Sequence, residues 1–299
     1  MSDTSSFIGQ CAAEYGDNVL VEGPDSRLTF AEADIVAGGL AEALGKAGLE
    51  PGDRVAVLSL PSARMVALFL GCFEQGLVVC PINTRLPRHG VSEAIFNAGC
   101  KAVIVDDYFE ASQLGHVHAL RIDDLFSAAK SSLRACRRPA SAEPALAVFT
   151  SGSTHEPRAA LLSTENLIAN ATASNQNLKV APGNRWLLSL PLYHVSGLGI
   201  LFRCLLGGGT IVTTESGERA HEVIAKYRAT HASLVATQLF HLIEDGKARW
   251  GLAMLKSVLL GGSSIPPQLI DRTIELEIPI YTTYGLTEMA SQVLSLIHI

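Results

Sequence analysis

Positive charge is in short supply: 23 lysines and arginines face 29 aspartates and glutamates among 299 residues, a formal net charge of −6. No basic block outlasts the short Arg134–Arg138 stretch, which argues against a nucleic-acid partner, because such proteins cluster cations on one face. Cys11, Cys72, Cys80, Cys100, Cys136 and Cys204 include no CxxC pair. A chain of this length needs no disulfide staples, and most of these residues read as small buried hydrophobes in a reducing compartment. The opening MSDTSSFIGQ lacks the basic and apolar regions of a secretory leader. The most apolar stretch, Trp186 to Leu206, is broken by Pro191, His194 and Arg203, and reads as strand, loop and helix rather than a bilayer span. The expectation is a soluble, cytoplasmic protein without a membrane span. No solenoid-period repeat or extended low-complexity segment occurs.

Apolar residues make up 48% of the chain, too many for a solvated coil. The length suits one large or two ordinary domains. Short β-rich runs alternate with helical patterns. Thr29 opens a helix with Glu32 three residues on, a capping-box spacing. Val55–Leu60 reads as a buried strand, Ser62–Gln75 as a helix, and Leu77–Pro81 and Lys101–Asp106 as strands. Ala128 to Pro144 is Ser-, Ala-, Arg- and Pro-rich without apolar period, a surface linker dividing subdomains at about 1–143 and 144–293. Beyond it, strands are expected at Ala145–Phe149, Arg185–Leu190, Gly209–Thr214, Ala232–Val235, Lys256–Leu260 and Ile278–Thr282, and a helix at Thr164–Asn177. This alternation predicts an α/β fold built on parallel sheets.

Four segments carry candidate chemistry. Thr150–Ser151–Gly152–Ser153–Thr154 follows an apolar strand and gathers hydroxyls and backbone N–H groups suited to phosphate oxygens, with Arg158 as a nearby cation. It is not a Walker A loop, and a plain polar turn accounts for its composition equally well. His194, in Pro191–Gly197, follows a strand end where α/β sheets bind ligands; alone, a histidine in apolar surroundings is more often a packing residue. Gly261–Gly262–Ser263–Ser264 either lets a flat ligand approach the backbone or simply turns into the next helix. Glu288, in Tyr284–Gly285–Leu286–Thr287–Glu288, can hold a hard cation such as Mg²⁺ beside substrate phosphates, or merely favour a helix N-terminus.

Taken in order, the hydroxyl loop at Thr150, PLYHVSG at Pro191, LLGGSSIP at Leu259 and YGLTE at Tyr284 resemble the signature run of the adenylate-forming acyl-CoA synthetases. The stretch GDRVAVLSLPSARMVALFLGCFEQGLVVCPINTRLP is similar to that family's N-terminal region, so the likeness runs from about Leu28 to Ser291. It implies the family's large N-terminal domain, two stacked, mostly parallel sheets flanked by helices. WLLSLPLYHVSGLGILFR, THASLVATQL and LKSVLLGGSSIP resemble more narrowly the branch that activates o-succinylbenzoate for menaquinone biosynthesis.

The resemblance implies ATP and Mg²⁺ as ligands, CoA as co-substrate and an aromatic carboxylate as substrate; homo-oligomer formation stays open. By the same likeness, Thr150–Thr154 and Arg158 would hold the β- and γ-phosphates, Thr287 the α-phosphate and Glu288 the Mg²⁺. Gly261–Ser264, Tyr284 and Gly285 would line the adenosine site, and His194 with Ser196 would flank the reacting carboxylate. Arg203 and Ser233 would lie in the aromatic-acid pocket, where a planar guanidinium suits the substrate's second carboxylate. Without the resemblance, Arg203 reads as a snorkelling helix residue. Another aryl- or acyl-CoA synthetase, or a non-catalytic nucleotide- or acyl-binding module, remains the alternative.

Three positions depart from the family pattern: His155 stands where glycine is usual, Arg158 where lysine is usual, and Ala159 where many members have glycine. They predict Mg·ATP binding with altered affinity. The likeness fades after Ser291–Gln292, so residues 294–299 are expected to be a foreign-looking tail. The lid domain with its catalytic lysine is expected to be missing.

Overall fold

The computed structural model describes residues 6–24, 26–110, 114, 117–130, 143–150, 158–214, 217–245 and 249–298. The first half of the chain runs α1 (Phe7–Tyr15), β1 (Val19–Glu22), β2 (Arg27–Thr29), α2 (Phe30–Lys46), β3 (Arg54–Leu58), α3 (Ala63–Gln75), β4 (Val78–Pro81), α4 (Arg88–Asn97), β5 (Ala102–Val105), β6 (His118–Arg121) and α5 (Ile122–Ala129). It continues with β7 (Pro144–Phe149), β8 (Ala159–Ser163), α6 (Thr164–Leu178), β9 (Arg185–Leu187), α7 (Val195–Gly207), β10 (Thr210–Val212), α8 (Ala220–Tyr227) and β11 (His231–Leu234). The last elements are α9 (Ala236–Glu244), α10 (Arg249–Met254), β12 (Ser257–Leu260), α11 (Pro267–Glu275), β13 (Ile280–Leu286), a 3-10 turn (Thr287–Met289) and β14 (Ser291–His298). The architecture is α/β, with two mixed sheets flanked by helices.

The chain divides into two compact units, Met1–Asp17 with Leu28–Leu167, and Asn18–Arg27 with Ile168–Ile299. The first holds a six-stranded sheet in the order β6-β5-β3-β4-β7-β8. Its pairs are parallel as far as β7, and β8 returns antiparallel. Central strands of such a sheet are covered on both faces, which is why β4 and β5 are unbroken apolar runs, buried at every position. The expected capping box closes the start of α2: Glu32 N–H donates to Thr29 Oγ1 at 3.2 Å, and Thr29 N–H to Glu32 Oε2 at 2.7 Å. At the start of α3, Ser62 Oγ accepts from Met65 N–H at 3.1 Å.

The second unit carries an eight-stranded sheet in the order β14-β13-β12-β11-β9-β10-β1-β2. From β1 to β13 the neighbours are parallel, and β14 pairs antiparallel with β13. Val258, Ile280, Ala232 and Leu187 on its strands pack with Val223, Ile224, Leu239 and Leu269 on its helices to form a continuous core.

Every strand and helix named from the sequence is found, within a few residues at the ends. Strands β1, β2, β6, β8 and β14 were not anticipated, and all but β1 are edges. β6 and β8 keep exposed residues and so lack the buried apolar run that marks a central strand. No described helix is long and apolar enough to cross a membrane. Among the described cysteines, Cys11, Cys72, Cys80 and Cys204 are buried and Cys100 is half-buried, all with free thiols.

Candidate functional site

Four parallel strands, β9, β11, β12 and β13, are neighbours in the second unit's sheet, so their carboxyl ends form one contiguous rim. Such rims are where α/β sheets present ligand-binding loops. The loop after β9 carries His194, which stands at the N-cap position of α7, lies exposed and meets the Tyr193 ring in a tilted contact, centroids 4.7 Å apart. Its backbone N–H donates to Pro191 O at 3.1 Å. Ser196, two residues on, is half-buried in the first turn of α7.

Beyond β12 come Gly261, half-buried, and Gly262, Ser263 and Ser264, all exposed. A Cβ on Gly261 would stand 2.8 Å from Thr283 O and 2.6 Å from Thr283 Cγ2, so only glycine lets this loop lie against β13. Tyr284 and Gly285 were expected to follow a strand ending at Thr282; instead β13 runs on through Leu286. The pairing of Gly285 with Gln292 and of Leu286 with Ser291 on β14 draws them into the ladder. The fit is close, since a Cβ on Gly285 would meet Ser291 O at 2.1 Å. Tyr284 is 59% exposed, which leaves its ring available as a platform at this rim. Thr287 and Glu288 follow in the 3-10 turn, Thr287 half-buried and Glu288 exposed. The described residues contain no cluster of three metal-ligating side chains. Glu288 belongs to no such cluster; Mg²⁺ commonly takes only one or two carboxylates, with phosphates and water completing its shell.

Arg203, on α7, is fully buried. Its Nε–H donates to Ser174 Oγ at 2.7 Å, and Nη2 reaches Gln292 Oε1 at 3.5 Å. Ser174 in turn donates to Gln292 Oε1 at 2.8 Å, closing a ring in which two neutral partners hold the cation. The guanidinium carbon sits 5.5 Å from the centre of the Trp186 ring. Trp186 Nε1–H donates to Ser233 Oγ at 3.1 Å, so Arg203 and Ser233 share one buried neighbour. Nη1 is buried without a hydrogen-bond partner among the described residues. Burial lowers the guanidinium pKa to about 10, with the neighbouring Cys204 opposing the shift. A buried, unpaired cation is costly, and an anion delivered to Nη1 relieves that cost. This excludes the snorkelling reading, in which the head group would reach water.

In the first unit, Thr150 and Arg158 close the mouth of the β7–β8 hairpin. Thr150 N–H donates to Arg158 O at 2.8 Å and Thr150 Oγ1 to the same oxygen at 3.2 Å. Arg158 is exposed. Ser151, Gly152, Ser153, Thr154 and His155 lie outside the described residues. The sequence reading missed Ser174, Gln292 and Gly199, which surround the guanidinium. Ser174 and Gln292 lie 29 and 89 residues from Arg203 along the chain, so no local pattern marks them, and Gly199 sits one helical turn before it on α7.

Residues 9–298 match the family model described as AMP-binding enzyme. The 2-succinylbenzoate–CoA ligase of Bacillus subtilis (strain 168) is 30% identical over 299 residues, covering 99% of this chain and 61% of the relative. A solved o-succinylbenzoate CoA synthetase from Bacillus subtilis, in complex with its acyl-adenylate intermediate, superposes with a TM-score of 0.89 at 27% identity, covering 98% of this chain and 61% of the other. The Bacillus subtilis synthetase in complex with ATP and magnesium ion superposes with a TM-score of 0.87 at 28% identity, covering 98% of this chain and 62% of the other. The chain thus spans about 61% of the length of the curated relatives it matches.

Proposed function

This chain belongs to the AMP-binding enzyme family, and from that premise we propose that it activates o-succinylbenzoate with ATP for transfer to CoA, a cytoplasmic step of menaquinone biosynthesis. In the first half-reaction a carboxylate oxygen of the acid bonds to the α-phosphorus of ATP and pyrophosphate leaves with the electrons of the broken P–O bond. In the second, the CoA sulfur bonds to the acyl carbon, AMP leaves with the electrons of the broken acyl C–O bond, and the thiol proton is released.

The residues supply binding and orientation. We assign the phosphate contacts to Thr150–Thr154, Arg158 and Thr287, and the Mg²⁺ contact to Glu288, where the ion would neutralise phosphate charge. Gly261–Ser264, Tyr284 and Gly285 are assigned to adenosine: the glycines keep side chains out of a rim where a flat base could lie, and Tyr284 offers a stacking face. His194 and Ser196 are assigned to the reacting carboxylate.

The observation that carries the choice of acid is the buried Arg203 with Nη1 unspent. A monocarboxylic acid uses its one carboxylate for chemistry and leaves this cation unpaired; a dicarboxylic acid satisfies it. Calorimetric titration of the chain with Mg·ATP tests the nucleotide half. Saturable binding is expected, weakened about tenfold or more in Glu288→Gln, which loses a charged ligand to the ion. No binding by the parent chain, or equal affinity in the variant, contradicts the assignment.

A further inference from the structure

Building on Arg203 as the receptor for the acid's second carboxylate, we propose that Gln292, Ser174 and Gly199 determine substrate specificity by keeping that arginine's charge uncompensated until the dicarboxylic acid arrives. A guanidinium offers five N–H donors. Here Nε is committed to Ser174 Oγ at 2.7 Å and Nη2 leans on Gln292 Oε1 at 3.5 Å. The Ser174 hydroxyl is itself held on Gln292 Oε1 at 2.8 Å, so the fork is anchored along one side only. Its other arm, Nη1, is buried without a hydrogen-bond partner among the described residues and lies against Gly199. A Cβ on Gly199, one helical turn earlier on α7, would stand 2.9 Å from Nη1 and 3.2 Å from Cζ.

The identity of residue 292 is the telling choice. Glutamate has the same shape as glutamine and would place a carboxylate oxygen where Oε1 now accepts two hydrogen bonds. It would pair with the buried cation and stabilise the empty fold, because an unpaired buried charge is the costlier state. The amide gives hydrogen bonds without charge. It orients the guanidinium and leaves its electrostatic demand to the ligand. Gln292, Ser174 and Gly199 are thus positioning residues acting through Arg203, with no role in the phosphoryl chemistry.

The test is calorimetric titration of the full chain with o-succinylbenzoate and with 3-benzoylpropionate, the same skeleton carrying one carboxylate, alongside melting temperatures. The parent chain is expected to favour the diacid by about tenfold or more, the scale of one charge-assisted contact. Gln292→Glu is expected to melt higher and to lose that preference while binding 3-benzoylpropionate as before. A merely structural role for residue 292 would not move stability and preference in opposite directions. Ser174→Ala, which frees Nε without adding charge, is expected to lose part of the preference. An undiminished preference in both variants overturns the inference. A parent chain that does not distinguish the two acids overturns the reading of Arg203 itself, a result recognisable before any variant is made.

Discussion

At the scale of single residues, polarity is spent in two ways inside the second unit. Arg203 carries charge into the core and finds only neutral hydrogen-bond partners among the described residues, whereas His231, also buried, is held as a neutral ring. Burial lowers the His231 pKa to about 4, with Leu178 O, 3.5 Å from Nε2, opposing the shift. Its ordinary value is 6.5, so between those values the unfolded chain binds a proton that the folded chain refuses. The stability contributed by neutral His231 is complete above pH 6.5 and drains away as pH falls toward 4. The full swing is about 3 kcal/mol at most. Denaturant melts from pH 7 downward should show the parent chain losing stability across this window more steeply than His231→Gln. Parallel profiles would contradict the assignment. The sequence made Arg203 visible as an interruption of an apolar run, but its meaning depended on Ser174 and Gln292, 29 and 89 residues away along the chain.

At the scale of elements, the central strands apart from β1 were legible and the edges were not. β4 and β5 announce themselves because both faces are buried and every residue is apolar. The hydrophobic period of α3 and the capping box of α2 are likewise local signals. β8 and β14 are recognisable only through the partners they return to. β8 closes the hairpin whose mouth joins Thr150 to Arg158. β14 brings Gln292 to Arg203 and extends β13 through Tyr284 and Gly285. Asn170 reinforces that return by donating to Met289 O at 3.0 Å and Gln292 O at 2.8 Å. Gly285 is the tightest point, with Ser291 O at 2.1 Å from where a Cβ would stand. Gly285→Ala should therefore force the hairpin apart, costing about 2 kcal/mol or more, on the scale of overpacking a tight site. It should also weaken o-succinylbenzoate binding, because Gln292 moves with the strand. A variant with parental stability and parental acid affinity would contradict this coupling.

At the scale of the whole molecule, the order of motifs along the chain was more informative than any one of them. A hydroxyl-rich loop, a lone histidine, a glycine pair and a solitary glutamate are each compatible with ordinary turns and caps. Within the second unit, parallel topology lines up the ends of β9, β11, β12 and β13 as adjacent neighbours. Segments separated by about a hundred residues of sequence thereby become one rim, and this is a consequence of strand order that no local window contains. The family match over residues 9–298 agrees with that arrangement, and the buried arginine gives the reading its chemical particularity. The central proposal is that this chain acts as an acid-activating, AMP-forming member selective for a dicarboxylate. Pyrophosphate release with Mg·ATP, measured for o-succinylbenzoate, benzoate and a fatty acid in parallel, tests it most directly. Release that depends on o-succinylbenzoate and exceeds the other acids by about tenfold or more is the predicted result, whereas equal rates with all three, or release independent of any acid, would contradict it.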